Sequence, residues 1–171
     1  MKVTRKAVLS GHTGSVYALE QGSESRLYTG GGDRLVVEWD LNHPSDGSLL
    51  ARTNDIIYSL LRIHGERLLV GQAAGGIHVI DIENRREERL LQYHQSGIFS
   101  MIASAKHHFI FTLSGDGELG VMDADTLQLN RKFVLGGGKL RSAALNQEES
   151  LLAIGAGDGT IRIYSLPDMQ L

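Results

Sequence analysis

A chain of 171 residues is long enough to bury one sizeable core, and a single domain is the starting count. Its formal charge of −3 argues against a dedicated nucleic-acid binder, and the absence of cysteine excludes disulfides, thiolate chemistry and thiolate metal sites. No run approaches the roughly 18 consecutive apolar residues of a membrane span, and the start MKVTRKAVLSGHTG has too short an apolar run for a signal peptide. The default expectations are therefore a cytoplasmic location and no membrane or nucleic-acid partner.

Twenty-one glycines against two prolines are more than average usage, about 12 glycines, would give, and point to many tight turns between short strands. Taken in chain order, Val16–Leu19, Arg26–Thr29, Leu35–Trp39 and Leu49–Ala51 read as strands a, b, c and d of a first unit. Each is rich in β-branched, aromatic or leucine residues and too short for a stable helix. A second unit follows at Ile57–Ile63, Arg67–Val70, Ile77–Asp81 and Arg89–Gln92, and the pattern continues. Two independent markers keep the same beat. Turn aspartates stand at Asp33, Asp116 and Asp158, with Ala73-Ala74-Gly75-Gly76 as a degenerate turn between the first two. The pairs Trp39-Asp40, Ile80-Asp81, Met122-Asp123 and Tyr164-Ser165 are spaced by 41, 42 and 42 residues. A four-stranded antiparallel unit of this period is a propeller blade, which must stack on its neighbours because it cannot bury both faces alone.

With Gly11-His12 before it and Trp39-Asp40 near its end, the first unit resembles the WD-repeat family, and the resemblance runs along essentially the whole chain. The resemblance implies an all-β propeller of four WD-type blades, half of a closed eight-bladed ring. The domain divides into an outer strand at 1–12, repeats at 13–53, 54–94 and 95–137, and a fourth at 138–171 lacking its own outer strand. It also implies a buried network of histidine, Ser/Thr, aspartate and tryptophan. The first repeat has all four, His12, Thr29, Asp33 and Trp39. The third has His94, Thr112 and Asp116, with Met122 for tryptophan. The second has Thr53, Val70, Ala74 and Ile80 at those places, and the fourth keeps only Asp158, so packing is expected to hold those two blades.

His12, Thr29 and Asp33 also invite a catalytic-triad reading, but the constellation recurs with the repeat, whereas catalysis needs one site. Gly136-Gly137-Gly138-Lys139 lacks the Ser/Thr of a phosphate loop, and the segment after it reads as a strand. Gly155-Ala156-Gly157-Asp158-Gly159 opens no helix, His107-His108 would point to opposite faces of a strand, and Glu83–Arg89 reads as an exposed loop. No catalytic residue, metal or cofactor is expected.

In WD-repeat proteins the residue near the start of the innermost strand often faces the channel mouth. Those positions are Tyr17, Tyr58, Phe99 and Arg141, with Ser15, Ile56, Gly97 and Lys139 two residues earlier. Aromatics and arginine are enriched in interface hot spots; the competing reading is that the rings fill the wedge between blades. Small residues at Gly32, Ala73, Gly115 and Gly157 are expected to leave the mouth open. Apolar pairs on strand d precede each repeat at Val8-Leu9, Leu49-Leu50, Leu90-Leu91 and Val134-Leu135, and the next pair would fall beyond Leu171. The expectation is a homodimer in which each N-terminal strand completes the partner's last blade. The function expected is a non-enzymatic scaffold binding protein or peptide. The alternatives are a truncated, split or engineered half-propeller with no selected ligand, and a propeller with a small-molecule or enzymatic site.

Overall fold

The computed structural model describes residues 2–169, so Met1 of the expected outer strand and Gln170 and Leu171 of the fourth repeat lie outside it. The described residues form fifteen strands and no helix, and hence no helix long and apolar enough to cross a membrane. The first blade comprises β1 (Val16–Gln21), β2 (Arg26–Gly31), β3 (Leu35–Asp40) and β4 (Gly47–Arg52). The second comprises β5 (Ile57–Ile63), β6 (Arg67–Gln72), β7 (Gly76–Asp81) and β8 (Arg86–Gln92). The third comprises β9 (Ile98–Ser104), β10 (Phe109–Ser114), β11 (Glu118–Asp123) and β12 (Leu129–Val134). The fourth has three strands, β13 (Leu140–Leu145), β14 (Leu151–Ala156) and β15 (Ile161–Ser165). All pairings are antiparallel between strands consecutive in the chain.

Burial explains the sequence texture. A blade between two neighbours is covered on both faces, so its middle strands are apolar throughout and do not alternate. Thus β7 and β10 are buried along nearly their whole length, whereas the outer β8 and β12 are mostly exposed. Of each apolar pair on β4 and β8, the second member (Leu50, Leu91) is buried and the first (Leu49, Leu90) exposed, as the pleat requires. The inner strands β1, β5, β9 and β13 pack side by side while the outer strands splay, which makes the fan shape of a propeller. Three apolar clusters fill the wedges between successive blades.

Residues 2–15 form no strand. Among the described residues this segment is paired with no other strand, and an isolated strand is not stable by itself. The segment is largely exposed up to Ser10, after which the backbone passes over the Trp39 ring and His12 turns inward.

Candidate functional site

Four β-bulges aim one side chain each at the same end of the fan. In β1 the pairing steps from Val16–Gly31 to Ala18–Gly30, leaving Tyr17 as the extra residue. The same step leaves Tyr58 extra in β5, Phe99 in β9 and Arg141 in β13. A bulge twists the strand locally and redirects the residue it frees. The four freed side chains meet in one stack. The ring centroids of Tyr17 and Tyr58 are 5.6 Å apart, edge to face, and those of Tyr58 and Phe99 are 5.0 Å apart, stacked. The Arg141 guanidinium lies 4.1 Å above the Phe99 ring, a cation–π contact.

These contacts are those of the wedge-filling reading. The rings bridge successive blades, yet Tyr58 and Phe99 keep partial exposure, and Tyr17 and Arg141 are exposed. Two of the small residues expected to leave the mouth open lie against the rings: a Cβ at Gly115 would stand 3.0 Å from Phe99, and one at Gly32 would stand 3.7 Å from Tyr17. Of the flanking positions, Ser15 and Lys139 are exposed and Ile56 is half-buried. Lys139 and Arg141 line a shallow depression of about 400 Å³ with Gly137, Gly138, Gly157 and Asp158.

Behind the stack, each blade fixes its entry loop to its turn differently. In the first blade Trp39 Nε1–H donates to Thr29 Oγ1 at 2.8 Å, Thr29 and His12 Nε2 are 2.6 Å apart, and His12 Nδ1 is 2.9 Å from Asp33. One proton assignment satisfies all of these: Trp39 to Thr29, Thr29 to His12, His12 to Asp33. Burial would raise the Asp33 carboxyl, but the Thr13 amide, the His12 ring and the Leu35 amide hold it below the usual carboxylate range. Because Thr29 is buried and both its neighbours in this chain are used, the triad-like group is closed to a substrate.

The third blade keeps only part of the network. His94 Nε2 reaches Thr112 at 2.8 Å, but Nδ1 stands 3.8 Å from Asp116 and 3.5 Å from Glu118. With Met122 in place of tryptophan, no indole N–H reaches Thr112. His94, Asp116 and Glu118 have donor atoms close enough to hold a divalent cation. The Lys132 ammonium, 2.7 Å from Glu118, already supplies positive charge there. Burial, reinforced by Lys132, holds the His94 ring below its ordinary pKa despite the two carboxylates.

The other two blades correct the expectation of packing alone. Thr53 donates to the Asp55 carbonyl at 2.7 Å, Val70 and Ile80 are fully enclosed, and a buried His78–Gln72 pair at 3.0 Å adds polar bonding inside the second blade. In the fourth, Arg162 spans from Asp158 at 2.7 Å to the Leu135 carbonyl at 2.6 Å. Its guanidinium fills the space a side chain at Gly137 would need, and Gly137 adopts φ +74, which glycine tolerates. Gln72, His78 and Arg162 were not singled out from the sequence, because a polar residue on a strand is unremarkable until its burial is known.

The bulged inner strands, the blade period and the His-Thr-Asp-Trp network define a propeller of WD-type blades. Residues 3–40 and 130–165 match the family described as "WD domain, G-beta repeat". WD repeat-containing protein 55 of Rattus norvegicus is 31% identical over 111 residues, and that of Mus musculus 30% over 111 residues. In each case the match covers 64% of this chain and 28% of the relative, so the chain spans little more than a quarter of these proteins' length. Among solved structures, the computationally designed Ika4 protein superposes with a TM-score of 0.75 at 23% identity, covering 94% of this chain and 96% of that one. The computationally designed Ika8 protein superposes with a TM-score of 0.74 at 23% identity, covering 92% of this chain but 48% of that one. In sequence and in fold, this chain is thus similar to WD-repeat β-propellers.

Proposed function

We propose that the chain is a non-enzymatic platform for protein or peptide binding, and that its propeller closes by pairing head to tail with a second copy. The observation that carries the pairing is the burial of equivalent positions. Ile57 and Leu60, which face the preceding blade, are 0% and 7% exposed, and Ile98 and Met101 are 0% and 7%. Their counterparts in the first blade, Val16 and Leu19, are 46% and 65% exposed. On the other face, Val36, Ile77 and Leu119 are all 0% exposed, whereas their counterpart Ile161 is 76% exposed. Each end of the array therefore offers apolar surface shaped for a blade.

The shapes match. A Cβ at Gly30 would meet Ile57 of the next blade at 2.6 Å, and one at Gly71 would meet Ile98 at 2.8 Å. These glycines are hollows that receive an aliphatic knob. Gly155 is the same hollow in the fourth blade, with only its own blade's Ser142 nearby, and Val16 of a second copy is the matching knob. The outer edge of β15 is free among the described residues, and the segment Arg5–Leu9, whose counterpart is Arg131–Leu135, is free to pair with it. Two such junctions, related by a two-fold axis, give a ring of eight blades.

The binding surface proposed is the mouth formed by Tyr17, Tyr58, Phe99 and Arg141, with Ser15, Ile56 and Lys139 on its rim. Half-exposed rings beside an arginine are the side chains that anchor protein partners. A second reading is favoured by the 48% and 28% coverages: the missing blades come from further repeats of a longer polypeptide. Light scattering after size exclusion separates the two. Self-pairing requires a species of twice the 18.7 kDa chain mass, stable on dilution. A folded monomer overturns it and assigns closure to another chain. Pull-down with and without Tyr58→Ala tests the mouth, since an unchanged partner set overturns that assignment.

A further inference from the structure

The Tyr17–Tyr58–Phe99–Arg141 stack has two different ends. At one end Tyr17 has the Tyr58 edge beside it and is 54% exposed. At the other, the Arg141 guanidinium has one face on Phe99, and among the described residues it makes no hydrogen bond or ion pair. An arginine that rests on a ring and has no carboxylate leaves one planar face and its N–H edges unused.

We infer that Arg141 is the joint of the two-chain ring: its guanidinium slots between its own Phe99 and the partner's Tyr17. This rests on the head-to-tail reading and adds the residue that enforces its polarity. If Val16 of the second copy seats in the Gly155 hollow as Ile57 seats at Gly30, the adjoining bulge brings the partner's Tyr17 beside Arg141. That placement is the one by which Tyr58 comes beside Tyr17 within the chain. Two stacks of four then become one belt of eight, with a cation between two rings at each junction. The alternative pairings are penalised. First blade against first blade sets Tyr17 on Tyr17, and last against last sets Arg141 on Arg141, with like charges in contact. Arg141 therefore selects partner orientation, a task that the apolar Gly155 hollow does not perform by itself.

The test measures the dissociation constant of the full chain by fluorescence-detected sedimentation, with circular dichroism to verify folding. Both residues are exposed, so their variants retain the blade cores. Arg141→Leu removes a desolvated cation–π sandwich, worth about tenfold per junction and so about a hundredfold for two junctions. Tyr17→Arg places two guanidinium groups face to face and weakens pairing at least as much. Exchanging the ends in Tyr17→Arg/Arg141→Tyr rebuilds a ring–cation contact at each junction and restores pairing to within about tenfold of the wild type. Recovery in the exchanged chain supports the joint. Wild-type affinity in both single variants, or no recovery in the exchanged chain, overturns the joint while leaving the pairing intact. A wild-type chain that stays monomeric overturns the pairing itself.

Discussion

Thr29 serves two buried partners at once: it accepts from Trp39 and donates to His12. Thr29→Val would orphan an indole N–H and an imidazole nitrogen, whereas the equivalent Thr112→Val would orphan only the His94 nitrogen, since Met122 brings no donor. Each buried polar atom left without a partner costs about 1–3 kcal/mol. Thr29→Val is therefore expected to destabilise by about 2–4 kcal/mol, and by more than Thr112→Val; urea denaturation of the two variants measures the difference. His94 gives a second handle. Its folded-state pKa lies below the ordinary 6.5, because burial and the Lys132 ammonium outweigh Asp116 and Glu118. The unfolded chain then binds this proton more readily than the folded one. Stability falls as pH drops through 6.5 and levels off once the folded ring is itself protonated. Thermal melting from pH 7.5 to 5 should show that slope, and His94→Gln should flatten it whatever its effect at neutral pH.

At the scale of the element, equivalent residues have unequal worth. Leu60 and Leu19 occupy the same place on β5 and β1, but one sits in a wedge between blades and the other on an end face. Leu60→Glu buries a carboxylate without a partner, a change at the far end of the destabilising range, about 4 kcal/mol or more. Leu19→Glu is expected to leave the melting of a dilute chain within about 0.5 kcal/mol of wild type and to abolish pairing at the concentrations where the wild type pairs. The two measurements together separate folding from association. The blade order, the strands and the full network of the first repeat were legible in the sequence, because period, turn aspartates and Trp39 are local signals. The bulges were not, since an extra residue in a pairing register is visible only when both strands are in view. Nor was the chemistry that replaces histidine: Arg162 reaches Asp158 four residues back but also the Leu135 carbonyl on the other side of the entry loop, a distance no motif records. Of the outer strand expected at residues 1–12, the described residues 2–12 are not a strand, because strand identity belongs to a pair and this segment is paired with no edge, the open edge of β15 included.

For the whole molecule, four blades whose loops are tied by four different means cannot be permuted. Arg162 of the last blade requires Gly137 before it, where any Cβ would run into the guanidinium, and the Trp39 ring requires Gly11 and Gly47 against it. The order of blades is thus written into side chains as well as into connectivity. Every strand pairing closes a hairpin between neighbours in the chain, and this has a consequence for the time order of synthesis. Among the described residues no pairing waits for a distant segment, so the hairpins of each blade can close soon after their own residues leave the ribosome, at the small loop-closure cost of local contacts. Under the proposed pairing, the contacts across the open faces belong to a different regime: they are second-order in chain, and their formation is set by how many finished copies the cell holds.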